Sequence, residues 1–164
     1  GLPDFPDAQV HIYRTEFEAR DQPRGLIERF YDCRHWSHGP HWVVYDAADG
    51  DWYGFASMRV VIDLPIDIRL IPLPGHTRGH CGVAVATGDG WLLQCGDAAS
   101  RQHPVTDVHR ADRGSALSSL LLAPLTRRML GPHVPRLRSL VRAHGDEVEV
   151  ISGHDVHSFR RHQR

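Results

Sequence analysis

The chain has 164 residues, with 19 basic and 20 acidic side chains and a net charge of −1. That balance gives no global field to favour nucleic acid or an anionic membrane, and no apolar run reaches the ~18 residues a bilayer span needs. The length suits one domain, 1–164, with enough chain for a sizeable core.

All of the basic residues are arginine, which is better explained by GC-rich coding than by function. Cys33, Cys81 and Cys95 are widely spaced and form no Cys-x-x-Cys pair. This argues against a disulfide framework or a structural zinc knuckle. No signal peptide is visible, so the cytoplasm is the default expectation.

In chain order, Ala8 to Tyr13 reads as a short strand after a proline-rich turn. Arg24 to Asp32 places Leu26, Ile27, Phe30 and Tyr31 at the spacing of a short amphipathic helix. Trp42 to Asp46 and Trp52 to Phe55 read as strands flanking a hairpin signal at Asp49-Gly50. Met58 to Ile62 and Ile66 to Leu73 are further strands. Gly82 to Thr87 and Trp91 to Cys95 are joined by Gly88-Asp89-Gly90, the clearest hairpin in the chain. Gly114 to Leu130 reads as helix interrupted near Pro124. Val134, Leu137, Leu140 and Val141 follow helical spacing, with Gly145 as the C-terminal cap. Val148 to Ile151 is a last strand, and Val156 to His162 a short final helix.

Three of these strands run into metal-capable side chains beside glycine. Ile68 to Leu73 leads to His76 in Pro74-Gly-His-Thr-Arg-Gly-His80. Trp91 to Cys95 leads to Gly96-Asp97, and Val148 to Ile151 leads to Gly153-His154-Asp155. Ligands delivered by loops at the rim of a rigid sheet are a common way to build a site. Imidazole with carboxylate suits zinc, and manganese or iron also fit.

Pro-Gly-His-Thr-x-Gly-His, then a strand pair ending in Gly-Asp-Ala, then a strand ending in Gly-His, resembles the second half of the signature of the metallo-β-lactamase superfamily of metal-dependent hydrolases. The resemblance covers most of the chain. It implies an α+β or α/β fold, the C-terminal portion of an αβ/βα sandwich. The first half of that signature, His-x-His-x-Asp-His, has no counterpart, since His38 and His41 flank Gly39-Pro40 with no aspartate in the needed place. The expectation is therefore a chain whose N-terminal part is missing; the rival reading is a divergent protein that never carried the loop.

By resemblance, His76 falls on one metal, His154 on the other, and Asp97 bridges them, with catalysis turning on Asp97 and His154. The complete protein would hold two ions, zinc first. Metal-bound hydroxide would then attack a small-molecule ester, lactone, thioester, amide or phosphoester. Homoserine lactonases, glyoxalase II and β-lactamases share the motif, so the substrate stays open. Lactonases often have a tyrosine shortly after Gly-Asp-Ala, whereas Ala99-Ser100-Arg101 follows here. The chain as given is expected to bind metal poorly and turn over little.

The alternative is a non-catalytic, degenerate domain that binds metal weakly or supports a partner. His80 is expected to support the site structurally rather than to bind metal. Thr77 and Asp155 either orient ligands through hydrogen bonds or cap turns. Trp36, Trp42 and Trp52 either line a substrate pocket or pack a hairpin. The arginines from Arg127 to Arg142 read as a solvated face, not a nucleic-acid surface. The oligomeric state stays open.

Overall fold

A computed structural model describes residues 1–99 and 133–153 of the chain. The helices expected over 114–130 and 156–162 lie outside them.

Strand β1 (Gln9–Tyr13) runs directly into helix α1 (Arg14–Asp21). Strand β2 (His41–Tyr45) then pairs with β1 in parallel, Val10 opposite Trp42 and Tyr13 opposite Tyr45. The remaining described strands form one six-stranded sheet in simple chain order: β3 (Gly50–Trp52), β4 (Phe55–Arg59), β5 (Ile68–Pro72), β6 (Cys81–Thr87), β7 (Gly90–Gln94) and β8 (Val148–Ile151). All neighbours in it are antiparallel except β7 and β8. Helix α2 (Val134–His144) precedes β8.

The sheet is buried on both faces, and the alternation of its side chains shows how. Phe55, Ile71, Ala84, Leu93, Val148 and Val150 point to one side, where Val134, Leu137 and Leu140 of α2 pack on them. Met58, Val60 and Leu70 point to the other side, where they meet Tyr13 and Tyr45 from the ends of β1 and β2. The layers are therefore helix, six-stranded sheet, two-stranded sheet. This mixed arrangement is compatible with an αβ sandwich. Among the described residues no helix is long and apolar enough to cross a membrane.

Two expectations from the sequence need correction. The Asp49-Gly50 hairpin does not form. Gly50 already belongs to β3 opposite Ser57, and the Asp49 carboxylate accepts from the Arg59 backbone N–H at 3.1 Å. The turn lies instead at Tyr53-Gly54, both at positive φ (48° and 78°), the conformation that matches strand twist in a two-residue hairpin. β2 leaves for the other sheet. The helix expected over Arg24 to Asp32 shrinks to a single 3-10 turn, Glu28–Phe30, while Arg14–Asp21, unmarked by apolar spacing, is the helix. Gly145 caps α2 as the spacing expects, with φ −63°, and a Cβ there would stand 2.6 Å from the Val141 carbonyl oxygen.

Strands β6, β7 and β8 and the β6–β7 hairpin follow the sequence reading, as does the helix at Val134. β4 and β5 are offset from their expected bounds.

Candidate metal centre

The strand directions decide where the site forms. β5 is antiparallel to β6, β6 is antiparallel to β7, and β7 is parallel to β8. β5, β7 and β8 thus run the same way, and their C-terminal ends share one rim of the sheet. The segments that leave those ends are the three that carry His76, Asp97 and Gly153-His154.

On that rim His76 Nε2 stands 3.3 Å from Asp97 Oδ2, with both side chains about a quarter to a third exposed, 26% and 32%. His76 Nδ1 is buried and has no hydrogen-bond partner among the described residues. Two donors each ~2.1 Å from one tetrahedral ion stand about 3.4 Å apart. The observed separation is compatible with a shared ion, as it is with a direct contact between the two side chains, and the donor set is one that zinc accepts.

β8 reaches the same place. Gly153 N–H donates to the Gly96 carbonyl at 3.0 Å, and a Cβ on Gly153 would lie 3.4 Å from Asp97 Oδ1. His154 and Asp155, the next residues, lie outside the described residues. Among the described residues no group of three or more His, Cys, Asp or Glu side chains is placed to hold a metal ion. The two donors fit part of a centre, one short of the three protein ligands of a catalytic zinc site.

His80 faces the protein. Its Nδ1–H donates to the Leu73 carbonyl at 3.2 Å and its Nε2 accepts the Asp97 backbone N–H at 3.2 Å. These bonds select the neutral Nδ1–H tautomer. Burial pushes the His80 pKa below the usual histidine value, which keeps the ring in that form. The ring also explains Gly96: that residue has φ +54°, and a Cβ there would lie 2.6 Å from His80 Nε2. His80 therefore fixes the turn that presents Asp97.

Thr77 is buried, 6% exposed, and its hydroxyl donates to Glu16 Oε2 at 2.7 Å. Glu16 also accepts the Gly79 N–H at 3.2 Å and the Tyr31 hydroxyl. Glu28, only 1% exposed, accepts the Arg78 N–H at 3.0 Å. His133, at the start of α2, donates from Nε2 to the Pro74 carbonyl at 2.7 Å. Glu16, Glu28 and His133 carried no signal in the sequence, because their partners in the motif turn are distant in the chain.

The tryptophans do not behave as one pocket wall. Trp52 is 4% exposed and belongs to the core, edge-on to Trp91, which is the hairpin-packing alternative of the two. Trp36 packs edge-on against Tyr31, and Trp42 against Phe17. An open cavity of about 400 Å³ lies between the Tyr53-Gly54 hairpin and α2, lined in part by Phe55, Arg136 and His144. None of the three tryptophans lines it.

Mixed α/β architecture with a His–Asp pair on a sheet rim defines a broad class of protein, and comparison narrows it. A solved structure described as "Indirect contributions of mutations underlie optimization of new enzyme function" shares the fold, with a TM-score of 0.56 over 98% of this chain and 51% of that one, at 20% identity. The chain is also 33% identical, over 156 residues, to the "Probable metallo-hydrolase Rv2300c" of Mycobacterium tuberculosis and the "Probable metallo-hydrolase Mb2322c" of Mycobacterium bovis. The match takes in 94% of this chain and 50% of each relative, so the chain spans about half the length of the curated relatives it matches. No family model matches it. The similarity is thus to about half of proteins named as probable metallo-hydrolases, and it points to metal-dependent hydrolysis in general.

Proposed function

We infer that this chain carries part of the metal centre of a metal-dependent hydrolase with the metallo-β-lactamase fold. It would act on a small-molecule ester, lactone, thioester, amide or phosphoester. The observation that carries the reading is the pair His76 Nε2 and Asp97 Oδ2, 3.3 Å apart at the ends of β5 and β7, with His76 Nδ1 buried and without a partner among the described residues. The names of the relatives support the same class.

His76 and Asp97 would hold the ion, with His154 completing the set from the end of β8. A divalent ion there, zinc in the first instance and manganese or iron otherwise, would lower the pKa of a bound water toward ~7 and polarise the scissile group. The protein's own part is orientation. His80 holds the Asp97 backbone, and its neutral ring offers no cation to compete for the carboxylate. Gly96 and Gly153 keep side chains out of the space around Asp97.

A non-catalytic reading, in which the domain binds metal weakly, draws on the presence of only two donors among the described residues. Metal content and turnover separate the two readings. The chain, alone and joined to an N-terminal segment that carries the His-x-His-x-Asp-His loop, is loaded with zinc, and hydrolysis of a panel of esters, lactones and thioesters is followed beside Asp97→Ala and His76→Ala. The hydrolase reading expects the extended chain to bind zinc and turn over, with both falling by at least about 100-fold in either variant, and the chain alone to do little of either. Zinc bound with no turnover in the extended chain would favour the non-catalytic reading. Zinc content unchanged in both variants would place any metal elsewhere and sink the site.

A further inference from the structure

The motif turn between His76 and His80 contains two residues that the metal chemistry does not use, Thr77 and Gly79. Both meet the same carboxylate. Glu16, in the first turn of α1, takes the Thr77 hydroxyl at 2.7 Å and the Gly79 N–H at 3.2 Å on Oε2, and the Tyr31 hydroxyl on Oε1. The fit extends to the backbone. A Cβ on Gly79 would lie 2.1 Å from the Glu16 nitrogen and 2.5 Å from its Cα, so only glycine lets α1 come this close. Arg78, between them, is held by Glu28 through its own N–H and reaches the Thr15 carbonyl with Nε at 3.3 Å. Nothing else in the described chain explains why a threonine and a glycine occupy these places.

We propose that Glu16 is a positioning residue: its carboxylate locks the Thr77–Gly79 turn onto the start of α1 and so holds His76 in place against Asp97. It touches neither His76 nor Asp97 in this arrangement and acts through the turn. The inference rests on the metal-centre reading for its consequence, but the lock itself does not. A carboxylate presents two oxygens that only accept, which suits three donors arriving from two sides. A carboxamide has one accepting oxygen and no charge, so Glu16→Gln cannot accept from all three donors and replaces charge-assisted bonds by weaker neutral ones. Groups that orient metal ligands typically change metal affinity by ~10–100-fold when altered.

The test uses the whole chain as wild type, Glu16→Gln, Thr77→Val and Thr77→Ser. Two quantities are measured: amide hydrogen exchange at Gly79, and zinc affinity by competition with a chromophoric chelator. The lock predicts that Gly79 exchange accelerates by about tenfold or more in Glu16→Gln and Thr77→Val. Zinc binding should weaken by about 10–100-fold in the same two variants. Thr77→Ser, which keeps the hydroxyl, should match the wild type in both. Core amides such as Leu93 should exchange as before.

Unchanged Gly79 exchange and zinc affinity in Glu16→Gln and Thr77→Val would overturn the proposal. So would a uniform acceleration at every amide, which marks lost stability and not a released turn. If the chain alone takes up no measurable zinc, the affinity arm is run on the chain joined to a His-x-His-x-Asp-His segment; no uptake there fails the metal reading on its own account, and Gly79 exchange alone then decides whether Glu16 is the lock.

Discussion

Glu28 shows how a single side chain can redirect the local chain. Its carboxylate accepts the N–H groups of Arg24 at 2.7 Å and Gly25 at 2.9 Å, within its own segment, and that of Arg78 from the motif turn. Side chains that satisfy nearby backbone donors compete with a helical ladder. Here the pull of Arg78 across the chain goes with a segment in which Leu26, Ile27, Phe30 and Tyr31, spaced for a helix, yield only a 3-10 turn, with Leu26 and Phe30 left exposed. Apolar spacing was the readable signal there, and a carboxylate folding back on its own backbone is invisible to it.

Burial alone would raise the Glu28 pKa, but the three backbone donors and the Arg78 guanidinium outweigh it and hold the pKa below the usual carboxylate value. A carboxylate depressed in the folded state contributes stability at pH values above its unfolded pKa of ~4.3, and that contribution is lost as pH falls through the folded value. Glu28→Gln should therefore be less stable than the wild type at pH 7, by about 2–3 kcal/mol for a charged group bonded to several donors. The gap should narrow below about pH 4. Urea midpoints at both pH values check this, and a gap that stays constant would show that the Glu28 charge is not what the fold uses.

At the scale of elements, the metal-motif turns were legible because they combine a strand, a glycine and a ligand type. The β6–β7 hairpin was legible because Gly88 and Asp89 are ordinary turn residues. The β3–β4 hairpin was not, because a tyrosine occupies a left-handed position that usually goes to Asn, Asp or Gly. Tyr53 is held there by contacts far along the chain: its hydroxyl donates to Glu147 at 2.8 Å, and its ring packs against His144. α1 was missed because it buries little apolar surface of its own, Ala19 alone being fully covered. It is positioned instead by polar contacts that its own sequence does not reveal.

Two glycines separate close packing from ordinary turn chemistry. Gly79→Ala would drive a Cβ into the α1 backbone, while a Cβ on Gly88 would meet nothing within 4 Å. Forcing atoms into a packed contact costs about 1–3 kcal/mol, more where the neighbour is backbone. Gly79→Ala should lower thermal stability accordingly, and Gly88→Ala should stay within about 0.5 kcal/mol of the wild type. Equal midpoints for the two variants would show that α1 can move away from the turn at no cost, and would weaken the case for the lock.

For the molecule as a whole, the motif turn is where the layers meet. From one side α1, which continues β1, grips it through Glu16 and Thr77. From the other, His133 at the head of α2 holds the Pro74 carbonyl. The ends of β5, β7 and β8 bring in the sheet itself. An ion held between His76 and Asp97 would thus link segments from separate parts of the sheet, each tied to a different layer. A ligand that binds only the folded state stabilises it by RT ln(1 + [L]/Kd), about 2.7 kcal/mol when free ligand is 100 times Kd.

Zinc should therefore raise the midpoint of the whole transition, not of one segment. Tryptophan emission reports on the core through Trp52 and on the β2 region through Trp42, and circular dichroism reports on the helices. In the presence of zinc both signals should shift upward together in the wild type, and neither should shift in Asp97→Ala. A zinc-induced shift confined to one probe would mean that the ion steadies a single loop. A shift that persists in Asp97→Ala would mean that the ion binds away from the sheet rim, and the link between the layers would then have to be carried by Glu16 and His133 alone.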